Sequence, residues 1–216
     1  MPIKRSNLFP ALFLITGLAV QVAAFIWMPD NPWSLVSGML GICSVVLCSK
    51  RNILTFVFGF GQIITYTYLC YLERFYAGIA MNAFYFLSQI YGIYVWRKRL
   101  IMSQTDTISM TVSTRGLKKT TLLIGLIIIL FASLAVGFLL AAYTNDSQPY
   151  FDAFTTVPAI AAQILMVLAY REQWYIWLLI DILYVAMWAQ AGNACMVMQY
   201  VFWCANCIYG LIEWKK

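Results

Sequence analysis

The sequence predicts an all-α integral membrane protein. The chain of 216 residues is 63% hydrophobic and 10% charged, and its mean hydropathy is +0.79. A water-soluble globule needs more polar side chains than this to cover its surface. Long apolar stretches separated by charges or by Pro, Asn and Gly turns support the same class, because a helix needs about 20 residues to cross a bilayer.

We predict eight membrane-spanning helices, over residues 8–27, 33–48, 52–71, 75–96, 117–143, 150–170, 174–191 and 193–214. Loops of two to five residues make several neighbours antiparallel hairpins. With a cytoplasmic N-terminus, 13 of the 14 Lys and Arg residues lie on the cytoplasmic side and only Arg74 lies outside, as the preference of cations for cytoplasmic loops requires. The net charge of +6 therefore reflects topology and indicates no nucleic-acid partner.

The first apolar stretch has two interpretations. Lys4 and Arg5 followed by residues 8–27 could form a cleaved signal peptide. We favour a retained helix, because the apolar run is long and its cleavage site is poor.

The chain contains a weak internal repeat. Residues 91–98, Tyr-Gly-Ile-Tyr-Val-Trp-Arg-Lys, are echoed by residues 209–216, Tyr-Gly-Leu-Ile-Glu-Trp-Lys-Lys, at an offset of 118 positions. A similar offset relates Asn-Pro-Trp at 31–33 to Gln-Pro-Tyr at 148–150. Duplications of this kind are typical of transporters, in which the substrate binds between the copies.

The repeat predicts how the chain is divided. Arg51 is matched with Arg171, and each three-helix unit starts outside and ends inside, so a second parallel copy needs one extra crossing between them. Residues 117–143 supply it, and between 122 and 140 their only polar side chain is Ser133, so we expect this helix to face lipid. The predicted parts are an extra N-terminal helix in 1–30, a three-helix bundle in 31–99, a cytoplasmic loop and linker helix in 100–145, and a second bundle in 146–216.

Polar and aromatic side chains follow helical faces in both predicted bundles. Counting 1.5 Å per residue puts Asp181, Gln89, Asn206 and Gln163 at one depth in the membrane. Polar groups at such depths are costly and mark binding sites or pathways. We therefore predict a polar substrate site with aromatic walls, formed by Trp174, Trp177, Asp181, Asn206, Gln89, Gln62, Asn82, Tyr85, Trp203 and Tyr184.

Structural roles compete with this interpretation. Trp174 could be an interfacial anchor, and the boundary positions of Trp96 and Trp214 are typical of belt residues. Each amide could only tie helices together, and Asp181 could be protonated or paired with a Tyr hydroxyl. Pro158 breaks a helical hydrogen-bond ladder and is a candidate hinge, matched with Gly41.

The sequence favours neither a metal nor a cofactor. It contains no histidine, which removes the commonest general base and metal ligand. Cys204 and Cys207 have CxxC spacing, but they lie within an apolar stretch without a second pair, so we interpret them as packing residues.

The helix plan, the Trp174-x-x-Trp177 pair and the Tyr-Gly-x-x-x-Trp ending with a basic tail resemble the PnuC family of bacterial nicotinamide riboside transporters over residues 33–216. The helix plan is also similar to that of the SWEET sugar transporters. The resemblance implies facilitated diffusion across the bacterial inner membrane, trapping of the substrate by a cytoplasmic riboside kinase, and a homotrimer. The distribution of Lys and Arg places both termini in the cytoplasm.

The predicted site suits nicotinamide riboside, because Trp faces attract its cationic ring and amides match its carboxamide and hydroxyl groups. Three alternatives remain. A thiamine or sugar carrier could share the scaffold, Asp181 could serve an intramembrane enzyme, and the chain could be a structural subunit without a ligand.

Overall fold

The computed structural model describes residues 5–27, 31–72, 76–103, 111–145, 148–190, 192 and 194–215. These residues form eight α-helices: α1 Arg5–Trp27, α2 Pro32–Ser49, α3 Thr55–Leu72, α4 Tyr76–Ser103, α5 Lys119–Tyr143, α6 Pro149–Val167, α7 Gln173–Gln190 and α8 Ala194–Glu213. They follow the eight predicted stretches in order, which confirms the all-α class. The loop position Arg74 lies outside the described residues.

The helices pack in two groups that meet through two equivalent interfaces. Within the first group α3 contacts both α2 and α4, and within the second α7 contacts both α6 and α8. The groups meet where α4 packs on α6 and where α2 packs on α8. The repeat relates α2 to α6 and α4 to α8. It therefore relates the interface between α4 and α6 to the interface between α8 and α2. The exact bundle boundaries and the 3+1+3 plan stay predictions.

Helices α2 and α6 begin and end in the same way. Both have a proline in their first turn, where its missing N–H costs nothing. Both end at a residue with positive φ, Arg51 at 58° and Ala169 at 59°. A hydrogen bond then closes each end, from Asn52 N to Leu47 O at 3.0 Å and from Tyr170 N to Leu165 O at 2.8 Å, as in a Schellman motif.

These helix ends correct one match predicted from the sequence. The offset of 118 relates Arg51 to Ala169, and the two residues share the same backbone conformation. The predicted match between Arg51 and Arg171 is therefore wrong, because it aligned charges instead of the turn that both helices need.

Within the described residues, four helices are long and apolar enough to cross a membrane on length and composition alone, over Pro10–Trp27, Pro32–Ser49, Lys119–Tyr143 and Pro149–Val167. They are α1, α2, α5 and α6. Helices α3, α4, α7 and α8 carry all ten predicted site residues. That all eight helices cross the bilayer stays a prediction.

The two outer helices make different contacts. Helix α5 packs on α6 with Ser133 and Gly137 buried, and the Tyr150 ring lies against Gly137. Its remaining surface is largely exposed and apolar, as expected for a helix that faces lipid. Helix α1 packs on α2 and α8, where Phe13 stacks on Phe202 with 4.7 Å between the ring centroids.

The core between the two groups is aromatic at the end of the molecule where α2, α4, α6 and α8 finish. We call this the basic end, because it carries most of the described Lys and Arg side chains. Trp96 and Trp214 are 0% and 1% exposed there. Their interpretation as belt residues is therefore wrong. Both rings face the opposite group of helices. Their position at the end of an apolar stretch of the sequence could not reveal this contact.

Candidate functional site

Matched hydrogen bonds join the two groups of helices near the predicted polar level. Gln163 Nε2 of α6 donates to Ser88 Oγ of α4 at 2.9 Å. At the equivalent interface Asn206 Nδ2 of α8 donates to Val45 O of α2 at 3.4 Å. The offset of 118 relates Ser88 to Asn206 and Val45 to Gln163. The two contacts are therefore equivalent under the repeat, although the side chains that form them differ.

Both polar atoms of the Asn206 side chain have partners on α2. Ser49 Oγ donates to Asn206 Oδ1 at 2.9 Å, and Asn206 is 2% exposed. Its amide therefore ties α8 to α2, which is the structural role that the sequence left open for each amide. Ser49 was not among the predicted site residues, because a serine at a helix end gives no signal of a partner 157 positions away.

Trp174 lies below the polar level, in the aromatic core of the basic end. It is 3% exposed and meets Trp214 edge to face with 5.7 Å between ring centroids. Its ring lies directly on Gly210, where a β-carbon would overlap it. Trp174 is thus neither an interfacial anchor nor open to a ligand in this conformation.

Trp177 and Asp181 lie one and two turns beyond Trp174 along α7, toward the polar level. Trp177 is partly buried. It packs against two apolar clusters, one that contains Trp174 and one that contains Ile176. Asp181 is 5% exposed, and Cys207 Sγ of α8 donates to its Oδ2 at 3.4 Å. Cys207 therefore has a polar contact in addition to its packing role.

Gln89 holds a buried acceptor that has no donor. Its side chain lies against Gly59, where a β-carbon would come within 2.6 Å of the Gln89 amide oxygen. Gln89 is 8% exposed, and its Oε1 has no hydrogen-bond partner among the described residues. A buried unpaired acceptor is costly, so this atom is a candidate ligand contact.

Gln62 is placed differently from the rest of the predicted set. It lies against Gly41 of α2, and its backbone carbonyl accepts from Ser37 Oγ at 3.5 Å. Both contacts are within the first group of helices, so they do not bring Gln62 to the other predicted side chains. Gly41, predicted as a hinge with Pro158, thus holds a close helix contact, and Pro158 is buried inside the continuous helix α6.

Tyrosines and a tryptophan form the layer beyond Asp181. Tyr184 of α7 stacks on Tyr200 of α8 at 4.8 Å, and Tyr200 meets Trp203 edge to face at 5.1 Å. Tyr85 of α4 is partly buried, and its ring centroid lies 5.7 Å from that of Phe84. Trp203 Nε1 is buried without an acceptor among the described residues.

Asn82 marks the outer end of the layer on α4. It is 5% exposed, and its Nδ2 has a weak contact of 4.0 Å with Cys70 Sγ of α3. Tyr200 is the residue matched with it by the offset of 118. Tyr200 was missed as a site residue, although this offset was a usable signal.

Two clefts lie apart from these residues. A groove of about 460 Å³ runs along α1 and is lined by Ile15, Leu18, Ala19, Val22, Ala23 and Ile26. A cleft of about 190 Å³ lies between α4 and α6, beside Ser88 and Leu168. Both are lined almost entirely by apolar atoms, so neither matches the polar chemistry of the predicted site.

The described side chains form no cluster suited to binding a metal ion. Within the part of the chain that the structure describes, no three His, Cys, Asp or Glu residues come together as a metal site would require. The predicted site thus offers amides, indoles, phenols and one carboxylate, which suit an organic ligand.

The family model described as nicotinamide mononucleotide transporter matches residues 31–216. The chain belongs to this family. The match covers both groups of helices and the linker between them, and it confirms the family that the Trp174-x-x-Trp177 pair predicted. The chain is therefore a multi-pass membrane transporter, not an enzyme.

Relatives within the transporter family share most of the chain. It is 29% identical to a nicotinamide riboside transporter PnuC of Neisseria mucosa over 96% of this chain and 81% of that protein. A crystal structure of the vitamin B3 transporter PnuC matches with a TM-score of 0.79 and 28% identity, over 96% of this chain and 91% of the other. The riboflavin/roseoflavin transporter RibM of Streptomyces davaonensis is 25% identical over 84% of each chain.

Proposed function

We propose that the chain takes up nicotinamide riboside across the bacterial inner membrane by facilitated diffusion, with its basic end and both termini in the cytoplasm. The two groups of helices alternate in opening to each side, and a cytoplasmic riboside kinase traps the substrate. The remaining partners are the bilayer and, in a homotrimer, two further copies of the chain. The names of the PnuC relatives support this substrate.

The observation that carries the proposal is that three buried polar atoms of the predicted site residues lack partners among the described residues: Trp174 Nε1 in the aromatic core, and two atoms nearer the polar level. Gln89 Oε1 is an acceptor without a donor, and Trp203 Nε1 is a donor without an acceptor. The carboxamide of nicotinamide supplies both a donor and an acceptor. Subtracting 118 from 203 gives 85, one helical turn before Gln89, so the two atoms belong to neighbouring turns of matched helices.

The charge and walls of the site also suit this ligand. The nicotinamide ring of the riboside is cationic, and the buried carboxyl group of Asp181 can balance it when ionised. Tyr184, Trp177 and Trp203 supply aromatic faces, which attract cations through their ring quadrupole. In this proposal Trp174 and Asn206 form the end of the site nearest the aromatic core and Asn82 its outer end, whereas Gln62 packs on Gly41 within the first group of helices.

The same chemistry argues for the riboside over the mononucleotide named in the family description. The ten predicted site residues include no Lys or Arg. A phosphate group would therefore be desolvated without a cation to pair with it, which is costly. We expect the riboside to bind and the mononucleotide to be rejected.

A ligand panel tests the substrate. Purified protein is heated in detergent with nicotinamide riboside, the mononucleotide, thiamine, riboflavin or a hexose, because ligands that bind the folded state raise its apparent stability. We expect a concentration-dependent rise of the midpoint with nicotinamide riboside alone. A rise with riboflavin or thiamine alone would reassign the substrate, and no rise with any ligand would favour a structural subunit.

A further inference from the structure

The linker before α5 crosses from one group of helices to the other at the basic end. Residues 111–116, which we call the strap, pair with both matched helix turns. Asn52 forms an antiparallel bridge with Thr111, and Tyr170 forms a parallel bridge with Arg115. The offset of 118 relates Asn52 to Tyr170, so the strap binds the same point of each repeat.

Main-chain hydrogen bonds fix the strap at these turns. On the first side Val112 N donates to Arg51 O at 3.0 Å. On the second side Arg115 N donates to Ala169 O at 2.8 Å, and Arg171 N donates back to Arg115 O at 3.0 Å. Turns in which Arg51 and Ala169 adopt positive φ thus present their carbonyls to one short segment.

Side chains add a second attachment on each side. Arg99 Nη1 of α4 donates to Ser113 O at 2.7 Å, and Arg99 is 8% exposed. Thr114 Oγ1 donates to Trp214 O, just after α8, at 3.0 Å. The strap is therefore held at two points of the first group and at two points of the second.

Val112 inserts into the core between the groups. Its side chain is 2% exposed and belongs to one apolar cluster with Trp96, Trp174 and Trp214. Cys48 and Cys207 lie in the same cluster and are 6% and 3% exposed. The two groups cannot separate at the basic end while this segment stays bonded to both.

We propose that the strap is a latch that keeps the basic end closed, and that it must leave one group of helices before this end opens. The proposal rests on the proposed function, because it assigns the latch to one gate of an alternating-access cycle. It goes beyond the family match by giving residues 111–116 a role in transport. The latch holds the two groups together without touching the substrate.

Two engineered disulfides test the latch. The pairs Asn52→Cys with Thr111→Cys and Arg115→Cys with Tyr170→Cys replace bridge partners. Paired strands lie about 4.7–4.9 Å apart, within the Cα separation that a disulfide spans. Each pair alone ties the strap to one group, and the two pairs together tie it to both. Single-cysteine variants and oxidised wild-type protein are the controls for the substitutions and for the native cysteines.

We expect each single tether to leave nicotinamide riboside exchange in liposomes at half of the wild-type rate or more, because the strap can still leave the other group. Closing both tethers should stop exchange while binding persists, and a reductant should restore it. Full exchange with both tethers closed would overturn the latch, and so would equal loss with one tether.

A second readout does not depend on the substrate. Alkylation of Cys48 and Cys207, followed peptide by peptide by mass spectrometry, should slow by about tenfold or more when both tethers close, because the open state is then removed. Unchanged alkylation would overturn the latch. If wild-type protein neither binds nor carries nicotinamide riboside, the proposed function fails while this readout still tests the strap.

Discussion

The indole rings of Trp96 and Trp214 meet edge to face at the interface between the two groups of helices, with 6.0 Å between their centroids. Each indole N–H also donates across the interface to the group opposite, Trp96 to Met166 O at 3.2 Å and Trp214 to Cys48 O at 3.0 Å. Adding 118 to 48 gives 166, so the repeat is preserved in contacts between the copies as well as within them.

This symmetry predicts equal costs for two substitutions. Trp96→Phe and Trp214→Phe each remove one indole N–H bond and keep an aromatic ring, and each should lower the free energy of unfolding by about 1 kcal/mol or somewhat more. The cost stays moderate because Ala169 N and Arg51 N still donate to the two carbonyls. Thermal or denaturant unfolding in detergent measures it.

Trp33→Phe is the matched control, because Trp33 is 47% exposed at the start of α2. It should leave the free energy of unfolding nearly unchanged. A loss at only one of Trp96 and Trp214 would show that the two contacts are not equivalent.

The glycine of the repeated Tyr-Gly pair is explained by packing. A β-carbon at Gly92 would lie 2.6 Å from the Phe56 ring, and one at Gly210 would overlap the Trp174 ring. Gly210→Ala should therefore lower the free energy of unfolding by about 1–3 kcal/mol, as overpacking does. Unfolding midpoints in detergent measure the change.

Gly125→Ala is the control for that experiment, because nothing lies within 4 Å of a β-carbon at Gly125 in α5. Alanine there should raise stability slightly, since glycine disfavours helix. Equal stability of the Gly210 and Gly125 variants would contradict the close packing of Trp174.

Gln89→Leu should separate stability from binding. Leucine removes a buried acceptor that has no donor, so the unfolding midpoint should stay level or rise. The affinity for nicotinamide riboside should fall about tenfold or more, because the carboxamide loses its partner. Calorimetric titration and thermal unfolding of one preparation give both values.

Gln190→Leu provides the comparison, because Gln190 is exposed at the end of α7. Its affinity should match that of wild-type protein. If Gln89→Leu bound the riboside normally, Gln89 would not contact the ligand.

Asp181→Asn tests whether the site recognises charge. Asparagine keeps an oxygen that can accept from the Cys207 thiol, so folding should persist, but the negative charge is lost. Affinity for cationic nicotinamide riboside should fall about tenfold, whereas affinity for its neutral dihydro form should change little. Competition binding with both compounds measures the difference, and equal losses would assign Asp181 a structural role.

Much of the fold could be predicted from the sequence because long apolar runs and cation-bearing loops are local signals. The repeat was also visible in the sequence, and the structure shows that Gly92 and Gly210 serve the same packing in each copy. The failures are non-local. Trp96 and Trp214 were placed at a membrane boundary from their neighbours in sequence, yet their partners lie 70 and 166 positions away.

The site was harder to predict than the helices. Depth counting placed Asn206 and Gln163 at one level, and both do join opposing helices there. It could not distinguish an amide used between helices, such as Asn206, from one whose oxygen lacks a donor among the described residues, such as Gln89. The strap was missed because a short polar linker has no periodicity to indicate a buried Val112.

Uptake of labelled nicotinamide riboside into liposomes that contain the purified protein tests the central claim most directly. With no sodium, proton or voltage gradient, the internal concentration should rise to the external one and stop there, and the mononucleotide should not enter above the level of empty liposomes. Absence of protein-dependent uptake, or accumulation above the external concentration driven by an ion gradient, would contradict a facilitated nicotinamide riboside carrier.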